Sequence, residues 1–383
     1  MEQILNNEDC CGCGACQLIC PSNSIHMMVD DKGFKYPQIN SKTCLNCTLC
    51  EKVCPVLNQE KFKNEHNVAY GAYNKDLSVR RESTSGGVFS AVANAFINDS
   101  GIVYGAISEN NRICHIRTED LTGIKRMRGS KYVQSELEDV FFQVERDLRE
   151  GKKVLFTGTP CQCASLKSFL LLKKISTSTL FTMDFVCHGV CSSKVFEDYI
   201  AYYNTHKKAR IVEHRFRDKT RGWSKHTEVN ILENGKVDYD SYESQLFKSI
   251  FHSHYAIRES CFHCRFTTEE RVSDITLADF WGVQKSHPKQ YDEKGVSFLL
   301  VNSKKGKEFL YEIQDMITLF EANISDVDQP QLHYPCRYPQ DMQKFWKAYA
   351  KGFDYAMIKF FHAGKIRRFA SDTLRRICGR RKQ

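Results

Sequence analysis

The sequence predicts a two-part protein: a small cysteine-rich α+β module, then a larger α/β domain whose second part is rich in strands. Three observations carry this expectation. The first 57 residues hold nine of the 18 cysteines, arranged as an internal repeat. Residues 58–67 are polar and read as a linker. Beyond them, buried-strand runs alternate with helical periodicity. With 383 residues, 42% of them hydrophobic, the chain is long enough for two or three domains and apolar enough for packed cores. The expected divisions are 1–57, then 68–150 and 151–320 as two parts of one domain, then 321–383 as a basic helical tail.

The repeat is the sharpest signal. Cys10, Cys13, Cys16, Cys20 and Pro21 recur as Cys44, Cys47, Cys50, Cys54 and Pro55, every member displaced by 34 residues. A shared offset indicates duplication of a small unit. Between the halves, Ile25, Met27 and Val29 share one face of a strand, Asp31-Lys32-Gly33 supplies a turn, and Phe34 and Tyr36 resume beyond it. That is a short hairpin. The run C-x2-C-x2-C-x3-C-P is the ligation pattern of two-cluster bacterial ferredoxins. Three closely spaced thiolates wrap one face of a four-iron cubane, while the cysteine before proline turns toward the other cluster. One [4Fe–4S] cluster is therefore expected on Cys10, Cys13, Cys16 and Cys54, and a second on Cys44, Cys47, Cys50 and Cys20. Gly12, Gly14 and Ala15 leave backbone amides free to approach cluster sulfurs, which helps to set the potential. Paired structural zinc sites are the alternative, but zinc sites are usually built from separated C-x2-C pairs. Cys11 falls outside the ligand pattern and reads as a spectator.

In the larger domain, Val88, Val92 and Phe96 fall at helical spacing before a short strand at Ile102-Val103-Tyr104. Val154-Leu155-Phe156 is a buried-strand run, followed by Thr157-Gly158-Thr159-Pro160 and a helix through Leu166, Phe169 and Leu170. Phe181 to Val186 is another strand, leading into Cys187-His188-Gly189. The strand-rich part comprises Ile211 to Phe216, Asp274 to Trp281 and Val296 to Val301. Phe353, Met357, Phe360 and Phe361 can share a helix near the basic end.

Open α/β sheets gather ligands at the carboxyl ends of their strands. Cys161 and Cys187 follow two such strands, and Cys261-x2-Cys264 adds a pair. Together they can supply four thiolates for a third cluster, with Cys163 and Cys191 as substitutes. Inert buried thiols, with zinc or nothing at Cys261 and Cys264, explain the same residues. Ser83-Thr84-Ser85-Gly86-Gly87 precedes the Val88 helix, where free amides suit a phosphate, although an ordinary N-cap explains such a run as well. Arg128 to Tyr132 and Arg215 to Lys219 are basic–aromatic clusters that fit an anion or a solvated surface.

A net charge of +9 selects no partner class on its own. The basic excess is small and the aromatics scattered, so no nucleic-acid partner is expected. The chain starts Met1-Glu2-Gln3 without an apolar leader, and no run reaches the ~18 apolar residues that cross a bilayer. Many cysteines then imply metal in a reducing, cytoplasmic setting rather than disulfides. The tail from Lys365 to Ile377 can lie on an anionic membrane as an amphipathic helix, or end as solvated chain.

Several stretches in order resemble the coenzyme F420 hydrogenase/dehydrogenase beta-subunit family, in the form with a fused two-cluster ferredoxin. They are Ser83–Gly87, Ser130 to Gln134, Thr157 to Gln162, Cys187-His188-Gly189, Arg215-Phe216-Arg217 with Gly222-Trp223, Cys261-x2-Cys264, and Ser273 to Gly282. The resemblance covers roughly residues 1–320. It implies an iron–sulfur flavoprotein that binds FAD and passes electrons between flavin and clusters. It makes Ser83, Thr84, Ser85, Gly86 and Gly87 a flavin-binding loop, with Thr159 and Gln162 as further cofactor contacts. Cys161, Cys187, Cys261 and Cys264 become ligands of a third [4Fe–4S] cluster. Lys131, Arg217 and Lys219 are expected to contact anionic cofactor or substrate, and His188 to donate a proton or hydrogen bond. The expected partner is a ferredoxin or another redox protein, and the small-molecule substrate is an F420-like or other organic compound. The alternative is an electron-transfer subunit without its own substrate.

Overall fold

The computed structural model describes residues 3–62, 64 and 67–364. The tail segment Lys365 to Ile377 lies outside these residues.

In the N-terminal module, strands β1 (Ile25–Val29) and β2 (Lys35–Ile39) pair antiparallel as the expected hairpin. The duplication extends to the backbone. Gly12 and Asn46, 34 residues apart, have φ of 68° and 50°; Gly14 and Thr48, equally spaced, have φ of 76° and 60°. Each second member opens the same short helix, Ala15–Leu18 or Leu49–Val53. Left-handed turns curl each cysteine run inward.

Eleven further strands follow: β3 (Val68–Asn74), β4 (Ile102–Glu109), β5 (Arg112–Thr118), β6 (Val154–Thr157), β7 (Leu180–Phe185), β8 (Ile211–Asp218), β9 (Thr227–Leu232), β10 (Val237–Asp238), β11 (Ile275–Asp279), β12 (Ser297–Val301) and β13 (Ile317–Glu321). Eight form one mixed sheet, ordered β13-β3-β12-β11-β7-β6-β4-β5. Its centre, β4-β6-β7-β11, is parallel, and its flanks are antiparallel. Two of the three runs expected in the strand-rich second part, β11 and β12, complete this sheet; β12 is buried along its whole length, and β11 is buried at Ile275 and Thr276. Only β8 starts a separate three-stranded sheet, β10-β9-β8.

Alternation along the central strands feeds two cores. Val103, Leu155, Phe181 and Met183 pack under the helices Val88–Asn98, Leu121–Met127 and Lys304–Glu312. Ile102, Tyr104, Val154 and Phe156 pack under Val140–Arg149 and Pro160–Leu172. Ala15, Val53 and Val56 of the N-terminal module join this second core, so the module is seated on helix Pro160–Leu172. The stretch expected as a linker is tied down as well: Gln59–Phe62 forms a 3-10 turn, Phe62 packs into the same core, and the Asn64 side-chain amide donates to the carbonyls of Arg271 and Ser273. The small sheet packs with helices Ser193–Lys207 and Leu246–Ser253 and with the C-terminal pair Met342–Tyr349 and Phe353–Phe361.

Candidate redox centres and cavity

In the N-terminal module the thiols sort into two groups that exchange their fourth member. Burial raises Cys16 well above the usual thiol range, and the neighbouring Cys13, Cys10 and Cys54 sulfurs add to it. Burial likewise pushes Cys54 up to about 12, with Cys13 and Cys10 close by. Cys20, Cys44, Cys47 and Cys50 line a separate small cavity walled by Ile25, Ile39, Leu45 and Leu49. Cys20 accepts from the Ser24 amide at 3.3 Å and lies 3.6 Å from Ser22 Oγ.

The parallel strands β6, β7 and β11 bring their carboxyl ends to one edge of the sheet. There Cys161, Cys187, Cys261 and Cys264 line one cavity of about 60 Å³, together with Cys11 and Cys336. Cys161 stands in the first turn of helix Pro160–Leu172, whose N-cap Thr159 forms a capping box with Gln162. Thr159 Oγ1 lies 3.1 Å from the Cys161 sulfur. Cys261 and Cys264 are presented by the turn Glu259–His263. Burial raises the Cys187, Cys261 and Cys264 thiols. Buried thiols deprotonate when a bound cation compensates the charge, so the donor set suits an iron–sulfur group. Among the described residues no three Cys, His, Asp or Glu side chains come together closely enough for a single metal ion; the ligands of a cubane stand further apart, each on its own iron.

The substitutes Cys163 and Cys191 are not in this cavity. Cys163 is two residues from Cys161 on a helix, about 200° around its axis, and its thiol lies in the core, 3.9 Å from the Met183 carbonyl. Cys191 is fully buried in the other core, with its backbone bridged to Val133 and Ile257. Cys11, read as a spectator, is instead a junction. It lines the thiol cavity with Cys161 and packs in the same core as Cys13; its neighbouring thiol lowers both Cys13 and Cys161. Cys336 donates to the Cys261 carbonyl at 3.6 Å. Its position, 72 residues beyond Cys264, gave no signal in the sequence.

A larger cavity of about 350 Å³ opens beside the thiols. Thr159, Gln162, Cys187, His188, Gly189 and Val190 line both spaces. Ser83, Thr84, Ser85 and Gly87 form one wall, at the start of helix Val88–Asn98. The N-cap there is Gly87, φ 84°, with no side-chain cap bond, so this run is not an ordinary hydroxyl cap. The hydroxyls hold the loop: Thr84 accepts from the Ser130 amide at 2.9 Å, and Ser85 donates to the Val296 carbonyl at 2.9 Å. Gly86 lies behind this wall, its amide donating to Ser297 Oγ, and a Cβ there would meet the Ala72 carbonyl at 2.5 Å.

The basic residues are more committed than their sequence positions implied. Lys131 lines the cavity, but its ammonium donates to the carbonyls of Met127 at 2.6 Å and Arg128 at 3.0 Å, at the end of helix Leu121–Met127. Lys219 lies outside the lining and donates to the carbonyls of Arg80, Ser85 and Lys294. Arg217 lines the cavity, pairs with Asp279 and sits 5.3 Å from the centre of the Trp281 ring. Trp281 stacks on Trp223 at 4.7 Å and on His226 at 5.1 Å. Tyr132 and Phe251 stack at 4.3 Å on another wall.

Four histidines line the space, of which only His188 was expected: His115, His188, His226 and His252. The pair His252-Ser-His254 was the available sequence signal. His115 spans the Thr157 carbonyl at 2.9 Å and the Ser135 hydroxyl at 2.7 Å. Burial takes His115 down to about 4, so it is neutral near pH 7. Gln162 donates to the same Ser135 oxygen at 3.2 Å.

A duplicated ferredoxin-type cysteine run and a thiol-lined sheet edge define the class: an iron–sulfur redox protein. Residues 9–58 match the family described as 4Fe-4S dicluster domain. Residues 151–327 match the family described as the C terminus of the coenzyme F420 hydrogenase/dehydrogenase beta subunit. No curated protein matches the chain. Among solved structures, a chain of the F420-reducing [NiFe] hydrogenase complex from Methanosarcina barkeri is similar over 76% of this chain and 94% of its own, at 15% identity and a TM-score of 0.48. No described helix is long and apolar enough to cross a membrane.

Proposed function

We propose that the chain is an iron–sulfur flavoprotein oxidoreductase that moves electrons between a two-electron organic compound and a single-electron partner protein. One observation supports this above the others. The thiol-lined cavity shares a wall with the large cavity on one side and shares Cys11 with the first ferredoxin site on the other. That is the order an electron path requires.

In this reading Cys161, Cys187, Cys261 and Cys264 hold a third [4Fe–4S] cluster, next to the one on Cys10, Cys13, Cys16 and Cys54. Cys20, Cys44, Cys47 and Cys50 hold the outermost, where Cys47 is exposed to an approaching ferredoxin or similar partner. The large cavity takes FAD: free amides at the start of helix Val88–Asn98 suit a phosphate, and Tyr132 offers a flat apolar wall. Bound flavin supplies the exchange of electron pairs with organic compounds and of single electrons with clusters. Lys219 fixes the Ser85 carbonyl and hence the loop. Arg217, neutralised by Asp279, contributes donors without a net charge. The family description names coenzyme F420, so a deazaflavin is the first substrate to test.

Anaerobic purification with iron, sulfide and flavin quantification tests the reading. About twelve irons and one flavin per chain are expected, since each cubane holds about four irons. About eight irons and no flavin would overturn it, leaving a ferredoxin fused to a domain of another purpose.

A further inference from the structure

Two large side chains are buried as whole arginines, Arg258 and Arg271, each 1% exposed. Arg271 has a counterion, Asp184, at 3.1 Å. Arg258 takes part in none of the ion pairs among the described residues. Its guanidinium donates to the Cys10 carbonyl at 2.7 Å, the Lys35 carbonyl at 2.9 Å and Gln134 Oε1 at 3.0 Å. All three acceptors are neutral. The rings of Tyr36 and Phe34 lie over it, with centroids at 4.3 and 5.3 Å. Its hydrogen bonds are satisfied, yet a full positive charge is held away from water, which is costly unless an anion offsets it.

The position says where that anion is. Arg258 comes from the larger domain, three residues before Cys261, and inserts beneath the Cys10–Cys13 turn of the N-terminal module. A Cβ on Gly12 would stand 2.6 Å from Nη1, so only glycine leaves room for the guanidinium. The same Gln134 that accepts from Arg258 donates to the Cys11 carbonyl at 3.0 Å. On the other side Arg258 lines the same thiol cavity as Cys161, Cys187, Cys261 and Cys264.

We propose that Arg258 is the fixed countercharge shared by the first ferredoxin cluster and the strand-end cluster, and that it raises the reduction potential of both. The proposal rests on the cluster reading above. A cubane with four thiolates carries negative charge that grows on reduction, and net local charge is one of the terms that set its potential. A fixed cation in a low-dielectric site stabilises the reduced form more than the oxidised one. Arg258 does not line the Cys20–Cys44–Cys47–Cys50 cavity, so that site serves as the internal reference. Arg258 is thus a positioning residue that acts on electron distribution without touching substrate.

The test is a redox titration of the full-length, iron-loaded protein, followed by EPR. In Arg258→Gln the reduced-to-oxidised ratio of the first and strand-end clusters should fall about tenfold at fixed poise, about 59 mV for one electron. The outer cluster should not move, and Arg258→Lys should keep wild-type potentials. A fully loaded Gln variant with unchanged potentials, or with all three clusters shifted alike, overturns the proposal. If the Gln variant loses iron, the Lys variant decides: retained iron and potentials support the charge role, whereas lost iron or a lowered potential overturns it. A wild-type protein with only the two ferredoxin clusters would reject the strand-end cluster separately, and the first cluster alone would then still test Arg258.

Discussion

His188 Nε2 lies 2.7 Å from His254 Nε2. His254 Nδ1 faces the Arg337 carbonyl at 3.0 Å and must donate to it, so its Nε2 accepts and His188 donates. The proton expected to serve chemistry is therefore aimed at another imidazole, and the bond fixes the loop that presents Cys187. Replacing such an outer partner typically costs ~10–100-fold in metal affinity or activity. His254→Ala should release the strand-end irons to a chelator about that much faster, with the N-terminal EPR signals unchanged. Equal retention in wild type and variant would show that the pair does not support the loop.

Cys261→Ser should remove about four irons and leave the ferredoxin signals intact. Cys163→Ser should keep its iron, because that thiol faces the core on the opposite side of its helix. Iron assays on the two variants side by side check both statements. Loss of iron from Cys163→Ser alone would reverse the ligand assignment.

Lys219→Met removes an ammonium that holds the Ser85 carbonyl from behind. Hydrogen bonds to charged groups are worth about 1.5–3 kcal/mol, so flavin affinity should fall at least tenfold while iron content stays constant. Flavin fluorescence titration of the flavin-stripped protein measures it. An unchanged dissociation constant would mean that the loop is held without Lys219.

Stability should depend on His115 in acid. Its folded value, about 4, lies below the ordinary 6.5, so the unfolded chain binds the proton first. The favourable contribution of the neutral, buried ring is whole above pH 6.5 and is lost as pH falls toward 4, by up to about 3 kcal/mol. His115→Asn should flatten that dependence relative to wild type in urea denaturation between pH 6.5 and 5. Parallel curves for the two proteins would refute the assignment.

Much of this was legible in the sequence where geometry is short-range. The 34-residue repeat carried the ferredoxin thiol groups and their exchange of one member, because spacing within a tight turn dictates which sulfurs can converge. Strand runs before Cys161 and Cys187 placed both thiols at one sheet edge, because parallel strands share a direction. The strand runs of the second part did not reveal which sheet each joins, for a matching reason: a buried strand looks alike whichever sheet it enters.

What only the tertiary structure decided depends on residues far apart in the chain. No spacing rule could put Cys11 against both Cys13 and Cys161, bring Cys336 into that cavity, or move Lys219 behind the Ser83–Gly87 wall. Nor could it place Arg258 beneath Gly12, since that contact joins two domains across 246 residues, the difference between the two positions. The sequence by itself determined which thiols share a turn, through covalent spacing. Packing alone determined how the sites are joined and what charge stands between them.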